Sequence, residues 1–125
     1  MRQDNITLIL HDPRFEKGLT FFNSAEWYLA HDFFEELWHE TDGPERQTIQ
    51  GILQIAVAQL HLERGNSNGA MILYGEGLGR LKGNFVPDLG LDINYLCSIV
   101  ESRLKSLQSQ IDPNKCELPF LKEKK

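Results

Sequence analysis

Apolar residues along this chain recur at spacings of three and four and nowhere alternate at two over the length of a strand, which is the pattern of amphipathic helices. Punctuation divides the pattern into about five helical segments. Asp12 before Pro13 reads as an N-cap with proline in the first turn, opening a helix over Arg14–Phe22. Asn23 and Ser24 are expected to cap a second helix, Ala25–Glu40. The connector Thr41-Asp42-Gly43-Pro44 then leads into a third, Pro44–Arg64, with Glu45 at its positive end. Gly65 can take the left-handed conformation that ends a helix, and Arg64 complements the carbonyl end. Ser67 and Asn68 are expected to cap a fourth helix running to about Lys82. Its glycines at 69, 75, 77 and 79 each cost up to ~1 kcal/mol relative to alanine, unless they permit close helix contact. Gly83–Leu91 reads as a loop, and Asp92 as the cap of a fifth helix, Ile93–Gln110, whose register holds Leu96, Ile99, Val100, Arg103, Leu104 and Leu107. The expected architecture is one all-α domain over 1–111, built round an antiparallel hairpin (about 25–40 and 44–64), followed by a tail, 112–125, that is an arm or partly disordered.

The polar residues within these segments narrow the chemistry. At about 100° per residue from Trp27, Phe34 falls near −20°, Trp38 near 20°, His31 near 40° and Glu35 near 80°. His31 thus stands inside the apolar arc and Glu35 on its flank. Asp32, Glu36 and His39, at about 120–180°, read with Glu40 as a solvated face. The segment 44–64 is apolar almost all round, as a central helix would be, except for one polar stripe of Gln50, Gln54 and His61. A buried polar stripe needs partners. In a hairpin turning between Asp42 and Gly43, residues whose numbers sum to about 85 stand level, which pairs Glu35 with Gln50 and His31 with Gln54. His61 would lie about 10 Å beyond Gln54, level with Ser24.

Three readings of these residues stay open. The first is a structural network of Glu35–Gln50 and His31–Gln54 bonds, in a domain that acts as an interaction module or homo-oligomer through apolar residues of its last two helices. The second is a site for a small ligand or protein partner lined by His31, Glu35, Trp38, Gln50, Gln54 and His61. The third is a divalent metal held by His31, Glu35 and His61 in a hydrolase, with Asp32 or Glu36 as general base. Spacing favours the network over a complete three-ligand set, and the wheel turns Asp32 and Glu36 away from His31. Trp27 and Trp38 read as core anchors, or as the apolar wall of a pocket. Arg46 is expected to pair with Glu40 or Asp42, the alternative being an anion held at the start of its helix.

Composition adds limits. A length of 125 residues suits one domain, and 41% apolar with 25% charged residues is an ordinary globular balance. The net charge of −5 gives no global attraction to nucleic acid or anionic membrane. Two cysteines, Cys97 and Cys116, form no disulfide scaffold and fit a reducing cytoplasm, with Cys97 on the apolar side of its helix. The apolar start Ile6–Leu10 is too short for a signal peptide, and no run reaches the roughly 18 apolar residues of a membrane helix. There is no Gly-x-Ser-x-Gly elbow, Walker loop or His-Glu-x-x-His helix, and the lone Gly-x-x-x-Gly at Gly75–Gly79 sits in a segment too polar for a membrane.

The run Ala30-His31-Asp32-Phe33-Phe34-Glu35-Glu36-Leu37-Trp38 opens a longer series of motifs. Gly43-Pro44-Glu45-Arg46, Gln50-Gly51-Ile52-Leu53-Gln54-Ile55-Ala56-Val57-Ala58, His61, Arg64-Gly65-Asn66 and Gly69-Ala70 follow it in order. This order resembles the domain of unknown function 309 family over Phe21–Leu81. The resemblance implies a small all-helical domain of the kind found in bacteria and archaea, with His31, Glu35, Trp38, Gln50, Gln54 and His61 at motif positions. Members have carried the label of predicted metal-dependent hydrolase, and no established activity comes with it. From Gly83 onward the chain follows no recognised motif.

Overall fold

The computed structural model describes residues 8–125, and within them the chain is all-α. The start of the apolar run, Ile6 and Thr7, lies outside the described residues. After a helical stretch at 8–11 come α1 (Pro13–Asn23), α2 (Trp27–Glu40), α3 (Glu45–Glu63), α4 (Ser67–Leu81) and α5 (Ile93–Gln108), then a 3₁₀ turn at Pro113–Lys115. Each helix packs on its neighbour in sequence, α1 on α2 and so on to α4 on α5, as short connectors dictate. The third helix is central: Ile49, Ile52, Ile55, Ala56 and Ala58 are all buried, against Phe34 of α2 and Tyr74 of α4 among others. Two glycines set the spacing of α3 and α4. A Cβ on Gly77 would stand 3.0 Å from the Gly51 carbonyl oxygen, so the close helix contact expected of the glycine-rich segment rests on this pair.

Helix ends follow backbone conformation more than capping side chains. Gly65, at φ 76°, ends α3 as expected, with its N–H donating to the Leu62 carbonyl and that of Asn66 to the His61 carbonyl. Ala25, at φ 60°, does the same for α1: the Glu26 N–H donates to the Phe21 carbonyl at 2.9 Å. This corrects the expected cap at Asn23 and Ser24. Those residues finish α1, and α2 begins at Trp27 behind Glu26, with no side-chain cap. Alanine carries no preference for the left-handed region, so sequence gave no sign of the turn. The cap of α4 is Asn66, one or two residues earlier than expected, its Oδ1 accepting from the Gly69 N–H at 2.9 Å. Asp92 caps α5 as expected, and α5 stops at Gln108 because Gln110, at φ 58°, turns the chain out of the helix.

The tail is the largest departure from expectation. Residues 112–125 do not stand away as an arm; they strap the bundle. Asn23 both donates to the Leu121 carbonyl and accepts from the Leu121 N–H, each at 2.7 Å, and Leu121 itself is buried. Leu91 and Glu123 form an isolated antiparallel bridge, and Lys124 reaches Asp88 at 2.8 Å, which holds the Asp88 carboxyl below the usual carboxylate range. Beneath the strap lies Arg103, fully buried. Its Nε donates to the Tyr74 hydroxyl at 2.8 Å, and its Nη1 donates to the carbonyls of Pro113 and Glu117 at 3.1 and 3.0 Å. The Tyr74 hydroxyl in turn donates to Gln59, and burial pushes it up, keeping it a neutral donor.

Candidate metal centre

The outer flank of α2 gathers the imidazole and carboxylates. Helical spacing places His31 and Glu35 one turn apart on one face, and their Nε2 and Oε2 atoms stand 3.5 Å apart. The other ring nitrogen of His31, Nδ1, lies 3.3 Å from Asp32 Oδ1. One ligand atom from each of His31, Asp32 and Glu35 falls within 4.8 Å of the others, and these three form the one such His, Cys and carboxylate group among the described residues. Glu35 Oε1 also faces His39 Nε2 at 3.9 Å. The group is open to water on one side: the side chains of His31, Asp32 and Glu35 are 25, 50 and 44% exposed.

This arrangement corrects the expectation in three places. Asp32 does not point away from His31. A wheel fixes the direction of Cβ only, and on an open surface two adjacent side chains can bend into contact. Glu35 is half exposed, not part of a buried lattice, and no bond joins it to Gln50, which lies half-buried on α3. Gln54 does not meet His31 either. It donates to Glu76 and accepts from Arg80, both at 3.0 Å, because α4 offers it a charged pair that the α2 side lacks. His61 stays apart from the cluster, at the end of α3, where its Nδ1 accepts from the Asn66 side chain at 3.2 Å.

The tryptophans divide. Trp27 is core, edge-on to Phe22 with ring centres 5.0 Å apart. Trp38 is half-buried beside the cluster, its ring 5.0 Å from that of His39. Arg46 does not pair with Glu40 or Asp42. Its guanidinium lies over the Trp38 ring at 3.9 Å and its Nε donates to the Trp38 carbonyl at 3.2 Å. Glu40 is instead taken by Arg14, which also holds Asp12, and this guanidinium keeps both carboxyls below their usual range.

The donor set fits a divalent cation. Roughly 2.1 Å bonds at a tetrahedral angle put two ligand atoms about 3.4 Å apart, close to the Nε2 to Oε2 separation. A neutral imidazole has one N–H and one lone pair. With the N–H facing Asp32, the lone pair faces Glu35, the orientation in which a carboxylate-anchored histidine ligates a metal.

Against this geometry stand the relatives. Residues 15–73 match the family model described as Domain of unknown function (DUF309). That stretch, a little under half of the chain, is similar to the DUF309 family. It runs from α1 into α4 and so contains the whole cluster, while α5 and the strap lie beyond it. The chain is also similar to "Uncharacterized protein YpuF" of Bacillus subtilis (strain 168), 29% identical over 107 residues, which are 83% of this chain and 62% of that protein. The chain therefore spans less than two thirds of that relative's length. No helix among the described residues is long and apolar enough to cross a membrane.

Two features escaped sequence reading. His39 lies on the solvated face as expected, and the sequence pattern does not show that it also faces Glu35, four residues away just as His31 is. Arg103 stood in the apolar register of its helix, and a charge in that position was itself the signal of a buried bonding network.

Proposed function

We propose that this domain binds a divalent transition-metal cation through His31 Nε2 and Glu35, with Asp32 orienting the imidazole, and offers the open positions to a small ligand. The observation that carries the reading is the His31 ring lying between two carboxylates, Asp32 at Nδ1 and Glu35 at Nε2. A neutral ring can donate to only one of them. A cation between Nε2 and Glu35 gives the second carboxylate its partner. Imidazole with carboxylate suits ions of the zinc or manganese kind. When bound, such an ion polarises an oxygen ligand and lowers the pKa of a coordinated water. The chain's own part is to fix the donors on a helix, hold the Nδ1 proton at Asp32 and leave one side open. The free thiols, with that of Cys97 pushed up to about 11 by burial, are consistent with a reducing cytoplasm and with no nucleophilic role for Cys97.

Equilibrium dialysis of tag-free protein against zinc and manganese tests this. One ion per chain is expected, with affinity falling at least tenfold in Glu35→Gln and in His31→Ala. Stoichiometric binding untouched by either substitution would place the ion elsewhere, and no binding would refute the reading.

A further inference from the structure

We infer that Arg46, stacked on Trp38, is the anion-binding arm of this site, so that its ligand is a phosphoryl oxyanion shared between the cation and the guanidinium. The inference rests on the cation reading above. It starts from continuity: Glu35 Oε1 faces His39 Nε2 at 3.9 Å, the His39 and Trp38 rings are 5.0 Å apart, and Arg46 lies 3.9 Å over Trp38. These contacts connect the His31 and Glu35 pair to Arg46 through His39 and Trp38.

Arg46 is held as a binding arginine is held. Stacking fixes the plane of its guanidinium, and its Nε bond to the Trp38 carbonyl fixes the direction. Its Nη hydrogens make no bond to the described residues, and the side chain is exposed. The arrangement has a cost. Trp38 Nε1 is buried with no acceptor among the described residues, so the ring is oriented by its stack and not by its N–H. Two of the first backbone donors of α3 are already used, since the N–H of Arg46 and of Gln47 donate to Gly43 and Pro44 carbonyls. The Arg46 guanidinium fork keeps its outer donors, and a planar fork suits two phosphoryl oxygens.

Charge makes the arm conditional. Asp32 and Glu35 together repel an anion. A divalent cation cancels these two charges, so anion and cation should bind cooperatively. Linkage requires the effect to be mutual. Manganese affinity is measured by electron paramagnetic resonance on the full chain, alone and with phenyl phosphate or inorganic phosphate. The expected result is a rise in manganese affinity of about tenfold with phosphate, the usual scale of such coupling. In Arg46→Ala the affinity for manganese alone should stay within about twofold while the coupling disappears, and Arg46→Lys should retain part of it. Coupling with phenyl phosphate alone would identify an ester as the ligand. Equal coupling with both would identify the phosphoryl group itself. Manganese binding with no phosphate effect, or an effect that survives Arg46→Ala, overturns the inference and leaves the cation reading standing. Absence of manganese binding overturns both.

Discussion

Arg103 donates to the Tyr74 hydroxyl at 2.8 Å in a fully buried position, and its other bonds go to backbone carbonyls of the C-terminal strap. No carboxylate takes part in these bonds, so the charge is solvated by peptide dipoles. Removing the guanidinium takes a donor from the Tyr74 hydroxyl and from the carbonyls of Pro113, Cys116 and Glu117 together. Arg103→Ala should therefore lose about 3 kcal/mol or more, given roughly 1.5–3 kcal/mol for each hydrogen bond to a charged group. Urea unfolding measures it, and hydrogen exchange at Leu121 and Lys124 should speed up at the same time. A loss below about 1 kcal/mol would mean that the strap is held without Arg103.

Glycines on one helix should respond in opposite directions. An added Cβ at Gly77 meets the Gly51 carbonyl oxygen at 3.0 Å and Ile55 at 3.1 Å, whereas Gly75 and Gly79 face open space. Gly77→Ala should cost about 1–3 kcal/mol through overpacking, while Gly75→Ala and Gly79→Ala should each gain up to about 1 kcal/mol of helix propensity. Thermal melts of the three variants give the signs directly.

Much of this fold was legible because it rests on period and on residues with strong local preferences. Gly65 ends α3 and Asp92 caps α5 where the sequence said they would. Several of the misses come from interactions between residues far apart in the chain. Asn23 looked like a helix cap because nothing local reveals that it bonds to Leu121. Gln54 looked like a partner for His31 because hairpin heights ignore α4, where Glu76 and Arg80 compete for it. Within the candidate site, the His31 and Glu35 pair was legible from helical spacing, and the contact of Asp32 with His31 was not, because it depends on rotamers.

Acid should weaken the link between α1 and α2. Arg14 holds the carboxyls of Asp12 and Glu40 below the usual range, so each contributes stability above that range and loses it as pH falls through the folded-state value. Arg14→Gln should accordingly be less stable than the parent near pH 7, and the gap should close below about pH 4. Glu40 is largely exposed and Asp12 half-buried, so the gap should be small and should shrink with salt. Urea midpoints across pH, at low and high salt, check both statements.

The central claim is tested most directly at the imidazole nitrogens. Long-range proton–nitrogen spectra of the histidines, recorded as zinc is added to the full chain, report which ring nitrogen carries the proton and which the metal. His31 should keep its proton at Nδ1, facing Asp32, and show the metal-bound shift at Nε2, while His61, bonded to Asn66 at 3.2 Å, should not move. An unchanged His31 at saturating zinc, or a shift at His61 in its place, would contradict the account.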